Sequence, residues 1–160
     1  MAKLNRILFA VVVLVPVAFA LNSMAKAQNP ADDAFNAEER LAGYAQREGV
    51  TWFIFDPQAY HIDPPQRVVV TGAFRIWSQN MDDPQWQLHR SDGANLWLLA
   101  IENPNFETLE PATPFKFRVD AGEWLQPPAE SPNREGGNLV FAPGVDPIRM
   151  RAEIRTENTL

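Results

Sequence analysis

Three tryptophans in this chain stand where an indole could contact a ligand. Trp77, Trp86 and Trp124 each border a polar turn, which favours exposure of their side chains. An exposed indole presents a flat apolar face that stacks on the apolar face of a pyranose ring, while the hydroxyls of the sugar need hydrogen-bond partners. The alternative is that these indoles cap the ends of a hydrophobic core, and the sequence alone leaves both interpretations open.

Hydrogen-bonding side chains for such a ligand are also present. Lys116 is the one lysine after residue 27, and it lies on the polar side of an alternating segment that leads to Trp124. Ammonium and amide groups supply the donors that sugar hydroxyls accept. The remaining tryptophans, Trp52 and Trp97, lie inside apolar segments, which predicts core positions for both.

Residues for catalysis or metal binding are scarce. The chain has no cysteine and two histidines, His61 and His89, which argues against a zinc site. No serine has a nucleophile-elbow context, and no glycine-rich phosphate loop is present. Asp82 and Asp83 could form a carboxylate pair for glycoside hydrolysis, but such a pair is defined by a distance that the sequence does not supply. We predict a protein without catalytic activity, metal or cofactor.

The charge balance excludes one class of partner. The 160 residues include 14 Lys+Arg and 20 Asp+Glu, with no basic run. Nucleic-acid binding depends largely on Lys and Arg that neutralise phosphates, so we expect no nucleic-acid partner. The 14 prolines and 8 glycines are too few to predict low-complexity disorder, and the length suits one modest domain.

Residues 1–27 have the pattern of a signal peptide. Two basic residues precede an apolar run over residues 7–21, and Ala25 and Ala27 supply the small side chains that signal peptidase accepts. The alternative is an uncleaved anchor, but a run of 15 residues interrupted by Pro16 is shorter than the roughly 20 that span a bilayer. We expect cleavage after Ala27, export to the periplasm or the medium, and no membrane span in the mature chain.

The elements that position the candidate residues are mostly strands. Residues 28–50 are rich in helix formers and predict a short helical linker, whereas residues 51–156 alternate short β-branched and aromatic runs with turn residues. This texture predicts an antiparallel β-sandwich, followed by a disordered tail at 157–160. The candidate strands are residues 51–55, 67–74, 96–102, 114–119, 137–141 and 148–155.

Four motifs in order resemble one known family. They are the stretch from Val70 to Trp77, the run 96–99, the stretch from Phe115 to Trp124, and the run 137–141. Together they resemble the family 48 carbohydrate-binding modules, which include the glycogen-binding domain of the AMP-activated protein kinase beta subunit. The resemblance covers about residues 51–142 and implies an immunoglobulin-like β-sandwich of the early-Set type.

The resemblance also implies a binding site for α-1,4-linked glucan. Position by position, Trp77 and Trp124 match the two stacking indoles, Lys116 matches the lysine of the strand before the second indole, and Asn138 falls in a paired-asparagine motif. The chain departs from that motif, because Gly137 replaces the first asparagine and the residues before it differ.

Three functional hypotheses follow. The leading one is an exported, non-catalytic module that binds polysaccharide or oligosaccharide through these four residues, with Arg118 as an additional contact on the face of Lys116. A separate exported enzyme is then an expected partner. The second is a protein-interaction or scaffold module of the cell envelope with the same fold, and the third is a small hydrolase. Residues 101–111 form an insert relative to the family, with no role assigned.

Overall fold

The computed structural model describes residues 34–92 and 95–144, which contain one short α-helix and nine antiparallel strands. The helix is α1 (Ala37–Ala42), and a single 3₁₀ turn, Ala73–Arg75, follows the third strand. The strands are β1 (Tyr44–Arg47), β2 (Val50–Phe55), β3 (Val68–Gly72), β4 (Gln87–Arg90), β5 (Trp97–Glu102), β6 (Thr113–Val119), β7 (Glu123–Trp124), β8 (Arg134–Glu135) and β9 (Asn138–Phe141). The predicted all-β class is confirmed. The expected signal peptide, the candidate strand 148–155 and the tail lie outside the described residues.

The strands form one curled sheet in the order β1-β2-β5-β4-β3-β6-β9-β8, with β7 paired to β6. Strand β4 joins the two halves, because its first residues pair with β3 and its last residues pair with β5. The immunoglobulin-like topology implied by the family resemblance stays a prediction. No helix in the described ranges is long and apolar enough to cross a membrane.

Aromatic side chains fill the space between the two halves of the sheet. Phe53 and Phe55 of β2 pack against Phe115 and Phe117 of β6, with ring centroids 5.2 and 5.3 Å apart. All four side chains are fully buried, and burial of each contributes about 1.5–3 kcal/mol. Because alternate residues of a strand point to opposite faces, this packing turns Lys116 and Arg118 to the outer face of β6.

The segment predicted as a helical linker contains a short helix followed by a strand of the sheet. Asn36 and Glu39 form a capping box at the start of α1, and Gly43, with φ of 76°, ends the helix after six residues. A Cβ at Gly43 would lie 2.7 Å from Leu139 Cδ1, so the close approach also favours glycine. Tyr44 then begins β1 and packs against Phe141, with ring centroids 5.0 Å apart. Within residues 34–50, the helix prediction is confirmed for Ala37–Ala42 and wrong for Tyr44–Arg47, and residues 28–33 lie outside the described residues.

One buried side chain organises the insert at 101–111. The Asn103 amide nitrogen donates to Thr51 Oγ1 and to the Leu109 carbonyl, each at 3.1 Å. Its oxygen accepts from the Thr108 and Leu109 amides at 3.1 and 3.2 Å. Asn103 is fully buried, so these bonds replace the water that its amide loses.

Candidate ligand-binding surface

The outer face of β6 brings the candidate binding residues together. Lys116 lies opposite Thr71 of β3, and Arg118 lies opposite Trp124 of β7. Strand β9 flanks β6 on its other edge, and continuing that register by one residue places Asn138 beside Lys116. Residues of four strands, β3, β6, β7 and β9, therefore meet on one face.

The two candidate stacking residues contact each other. The ring centroids of Trp77 and Trp124 are 6.2 Å apart, and the ring planes are inclined at 47°. Trp124 is 39% exposed and Trp77 is half-buried. We call this pair of side chains the indole pair.

An unusual backbone conformation carries Trp77. Ile76 and Trp77 both have left-handed backbones, with φ of 51° and 54°. Their amides donate to the carbonyls of Ala73 and Gly72, each at 2.9 Å. A β-branched residue with positive φ is strained, and Ile76 is also 92% exposed, so its own burial does not offset that strain. No pattern in the sequence marked Ile76 as a candidate for binding.

Arg118 is bonded to the protein backbone and lies against Trp124. Its guanidinium carbon lies 4.7 Å from the centroid of the Trp124 ring, a cation–π geometry. Its Nε and Nη2 donate to the Gly122 carbonyl, and its Nη1 donates to the Gln79 carbonyl at 2.6 Å. The residue is only 7% exposed. Arg118 therefore lies against the indole and bonds the protein backbone, and its expected role as an additional ligand contact stays a prediction.

A second buried arginine fixes the same loop. Arg75 donates to the Val70 and Asn80 carbonyls at 2.8 and 3.2 Å and pairs with Asp83 at 3.0 Å. Burial lowers the pKa of Arg75, which the charge of Asp83 partly opposes. Burial also lowers the pKa of Arg118, and the positive charge of Arg75 adds to that effect. The loop after β3 is therefore bonded through two of its carbonyls to buried guanidinium groups.

The other tryptophans do not belong to this surface. Trp86, expected as a possible exposed indole, is 7% exposed and stacks on Phe74 with centroids 4.6 Å apart. Its place beside a polar turn did not predict the direction of its side chain. Trp97 is buried in the core as predicted, and Trp52 is half-buried against Phe35 at 5.8 Å.

Lys116 and Asn138 have side chains without a hydrogen-bonding partner in the part of the chain that the structure describes. The structure shows no hydrogen bond or ion pair from the side chains of Lys116 or Asn138 to any residue that it describes, and both are half-buried. Their donors are available to a ligand that contacts the indole pair. Glu135 of β8 lies opposite Asn138 and adds an exposed carboxylate to the edge of the surface.

The carboxylates considered for hydrolysis have arginine partners instead. Asp82 pairs with Arg67 at 2.6 Å, and Asp83 pairs with Arg75 at 3.0 Å. Within residues 34–92 and 95–144, no group of three or more His, Asp or Glu side chains is arranged to hold a metal ion.

No protein-family model matches the chain, and no curated protein is significantly similar to it. The resemblance to the family 48 modules therefore stays a prediction from motifs, and the function has to be argued from the geometry of the surface.

Proposed function

We propose that this protein is a non-catalytic glycan-binding module whose ligand stacks on the indole pair. The observation that carries the proposal is the 6.2 Å contact of Trp77 with the partly exposed Trp124. Both indoles are gathered around the strand that holds Lys116. Large, rigid aromatic faces bind sugar rings with little loss of conformational entropy.

The geometry favours a curved glycan over a flat one. Because the two ring planes are inclined at 47°, a chain that stacks on both indoles has to bend between successive sugar units. An α-1,4-linked glucan bends in this way, whereas a β-1,4-linked glucan is extended. Arg118 lies against one face of Trp124, which leaves the opposite face to the ligand.

Hydrogen-bonding groups complete the proposed site. Lys116 and Asn138 lie side by side on neighbouring strands and have no partners among the described residues, so they can bond hydroxyls of a stacked sugar. A shallow site with two indoles and few polar contacts supports only weak binding, on the order of micromolar to millimolar Kd.

A fluorescence titration tests the proposal. The mature protein is titrated with maltoheptaose and, separately, with cellohexaose, while indole emission is followed. We expect a saturable change with maltoheptaose that is lost in Trp124→Ala and weakened in Lys116→Met. Trp52→Phe is the matched control, because it removes an indole that contacts Phe35 and lies outside the pair. If neither sugar changes the emission of the folded protein at millimolar concentration, the proposal fails.

Export belongs to the same proposal. The pattern at residues 1–27 supports cleavage after Ala27 and a periplasmic or secreted mature protein, where a separate exported enzyme would share the glycan. Expression of the full chain in a bacterial host, with N-terminal sequencing of the product, tests this. We expect the mature chain to begin at Gln28, and an intact N-terminus on the accumulated protein would contradict export.

One observation favours a protein partner as a second candidate function. Ile76 is 92% exposed next to the indole pair, and an aliphatic side chain adds more to a protein interface than to a hydroxyl-rich sugar. Under this hypothesis an envelope protein covers Ile76 and Trp124 together. Chemical cross-linking in the cell envelope, with Ile76→Asn as the interface variant, distinguishes the candidates. A cross-linked partner lost in Ile76→Asn supports the protein interface, whereas unchanged maltoheptaose binding by that variant supports the glycan.

A further inference from the structure

We propose that Arg118 is a positioning residue that fixes Trp77 and Trp124 relative to each other. The inference rests on the proposed function in that the indole pair is the binding surface. Arg118 is the side chain that bonds both segments that carry the pair. It contacts the turn before Trp124 through Gly122 and the loop after Trp77 through Gln79.

The bonds from Arg118 to the Gly122 carbonyl fix Trp124. Arg118 Nε and Nη2 both donate to the Gly122 carbonyl, two residues before Trp124, while the guanidinium plane lies 4.7 Å from the indole centroid. Strand β7 is only two residues long, so its own ladder bonds restrict it little. The arginine therefore supplies the support that holds this indole at its angle.

The bond from Arg118 to the Gln79 carbonyl fixes the loop that carries Trp77. Arg118 Nη1 donates to the Gln79 carbonyl at 2.6 Å, which joins residues 39 positions apart in the chain. Bonds to a charged donor are stronger than neutral ones, and more so in a buried place. Without this bond the loop would keep its attachments through Arg75 and through the bond from Thr71 Oγ1 to the Ser78 carbonyl, but Gln79 would lose its attachment to β6.

Only the guanidinium geometry serves both segments. Arg has a planar fork of five donors, so one side chain can bond two carbonyls and lie flat against a ring. A lysine ammonium is a single point on a flexible chain and cannot reproduce all three contacts. Gly122 is matched to the arginine, because a Cβ there would lie 2.6 Å from Nη2 and would displace the guanidinium.

Two variants test the positioning role by separate routes. Arg118→Lys keeps the charge and removes the fork. Gly122→Ala keeps the arginine and moves its guanidinium, and it also strains the turn, because Gly122 has φ of 97°. Arg90→Lys is the matched control, since Arg90 is an exposed arginine on β4. The readout is the exciton circular dichroism of the two coupled indoles, which is assigned by its loss in Trp77→Phe and Trp124→Phe. Urea unfolding and maltoheptaose titration are measured on the same samples.

We expect both test variants to remain folded, to lose most of the exciton signal and to bind maltoheptaose about tenfold more weakly, while Arg90→Lys matches the parent. A general loss of stability would lower the signal only in proportion to the unfolded fraction. The inference is overturned if the folded variants keep the parent signal, or if both variants fail to fold. If the parent protein binds no sugar, the proposed function fails, and the exciton signal still decides whether Arg118 fixes the indole pair.

Discussion

Replacing Ile76 by glycine should stabilise this protein, although the substitution removes a large side chain. A non-glycine residue in the left-handed region costs about 1–2 kcal/mol, and Ile76 has φ of 51°. Glycine removes that cost but loses about 0.5–1 kcal/mol more conformational free energy on folding. Because the side chain is 92% exposed, its truncation forfeits only about 0.2 kcal/mol of burial. The free energy of unfolding should rise by about 0.5 kcal/mol in Ile76→Gly, and by about 1 kcal/mol in Ile76→Asn, since asparagine tolerates this conformation without the entropy loss of glycine.

Urea unfolding followed by far-ultraviolet circular dichroism measures both values, because Trp77 lies next to the substitution and its fluorescence would shift for local reasons. Ala73→Gly is the matched control: Ala73 is exposed in the same turn and is not among the positive-φ residues. Ala73→Gly should lower the free energy of unfolding by about 0.5–1 kcal/mol. If Ile76→Gly loses as much stability as Ala73→Gly, the left-handed conformation carries no strain and the reasoning is refuted.

Three further outcomes follow from buried side chains. Trp86→Ala should lose about 3–5 kcal/mol of unfolding free energy in urea, and Trp124→Ala only about 1 kcal/mol, because Trp86 is the buried indole of the two; equal losses would contradict this. Asn103→Ala should lower the free energy of unfolding by about 2–4 kcal/mol and expose residues 104–110 to limited proteolysis, because it leaves buried amides and a carbonyl without hydrogen bonds. An insert that the protease does not cut would contradict this expectation. Burial raises the pKa of both Tyr60 and Tyr44 above the ordinary value of 10.0. The unfolded phenols ionise first, so stability should be full below about pH 10 and fall above it, by about 1.4 kcal/mol per pH unit for Tyr60. The urea midpoint should fall less between about pH 9 and about pH 11 in Tyr60→Phe than in the parent protein. An identical fall in both proteins would contradict this expectation.

Much of the fold was predictable because its central strands have strong local patterns. The predicted strands match β2, β3, β5, β6 and β9 to within two residues at every end. The alternation of Phe115 and Phe117 with Lys116 and Arg118 also predicted correctly which side chains of β6 point to the core and which point to the opposite face. A pattern of this kind is visible in sequence because each residue follows from its neighbours in the same strand.

The remaining strands depend on partners that are distant in the chain. Strand β4 has a single fully buried residue, Leu88, and β7 and β8 are two residues each, so none has a pattern long enough to detect. Strand β1 has the composition of a helix, and it is a strand because Gly43 ends α1 and β2 offers a free edge. Pairing overrides local propensity in such segments.

The sequence indicated which side chains lie near one another, but not the contacts that hold them. Trp77 contacts Trp124, and the register places Lys116 and Asn138 on neighbouring strands, while their role as a binding site stays a prediction. The burial of Arg118 depends on which indole and which loop cover it, and this is decided by contacts 39 residues apart. Likewise, the residues next to Trp86 do not specify whether its side chain turns toward the core.

Strain at Ile76 and the two buried arginines have a common physical explanation. The left-handed residues at 76 and 77 direct Trp77 toward Trp124, and the bonds from Arg75 to Asn80 and from Arg118 to Gln79 hold the loop against that strain. A loop that is ordered before the ligand arrives loses less entropy when the ligand binds. Relieving the strain and removing the arginine bonds should therefore have different effects on stability and on binding. If the proposed function holds, Ile76→Gly raises the free energy of unfolding and keeps maltoheptaose binding. Arg118→Lys weakens that binding even where the protein remains folded.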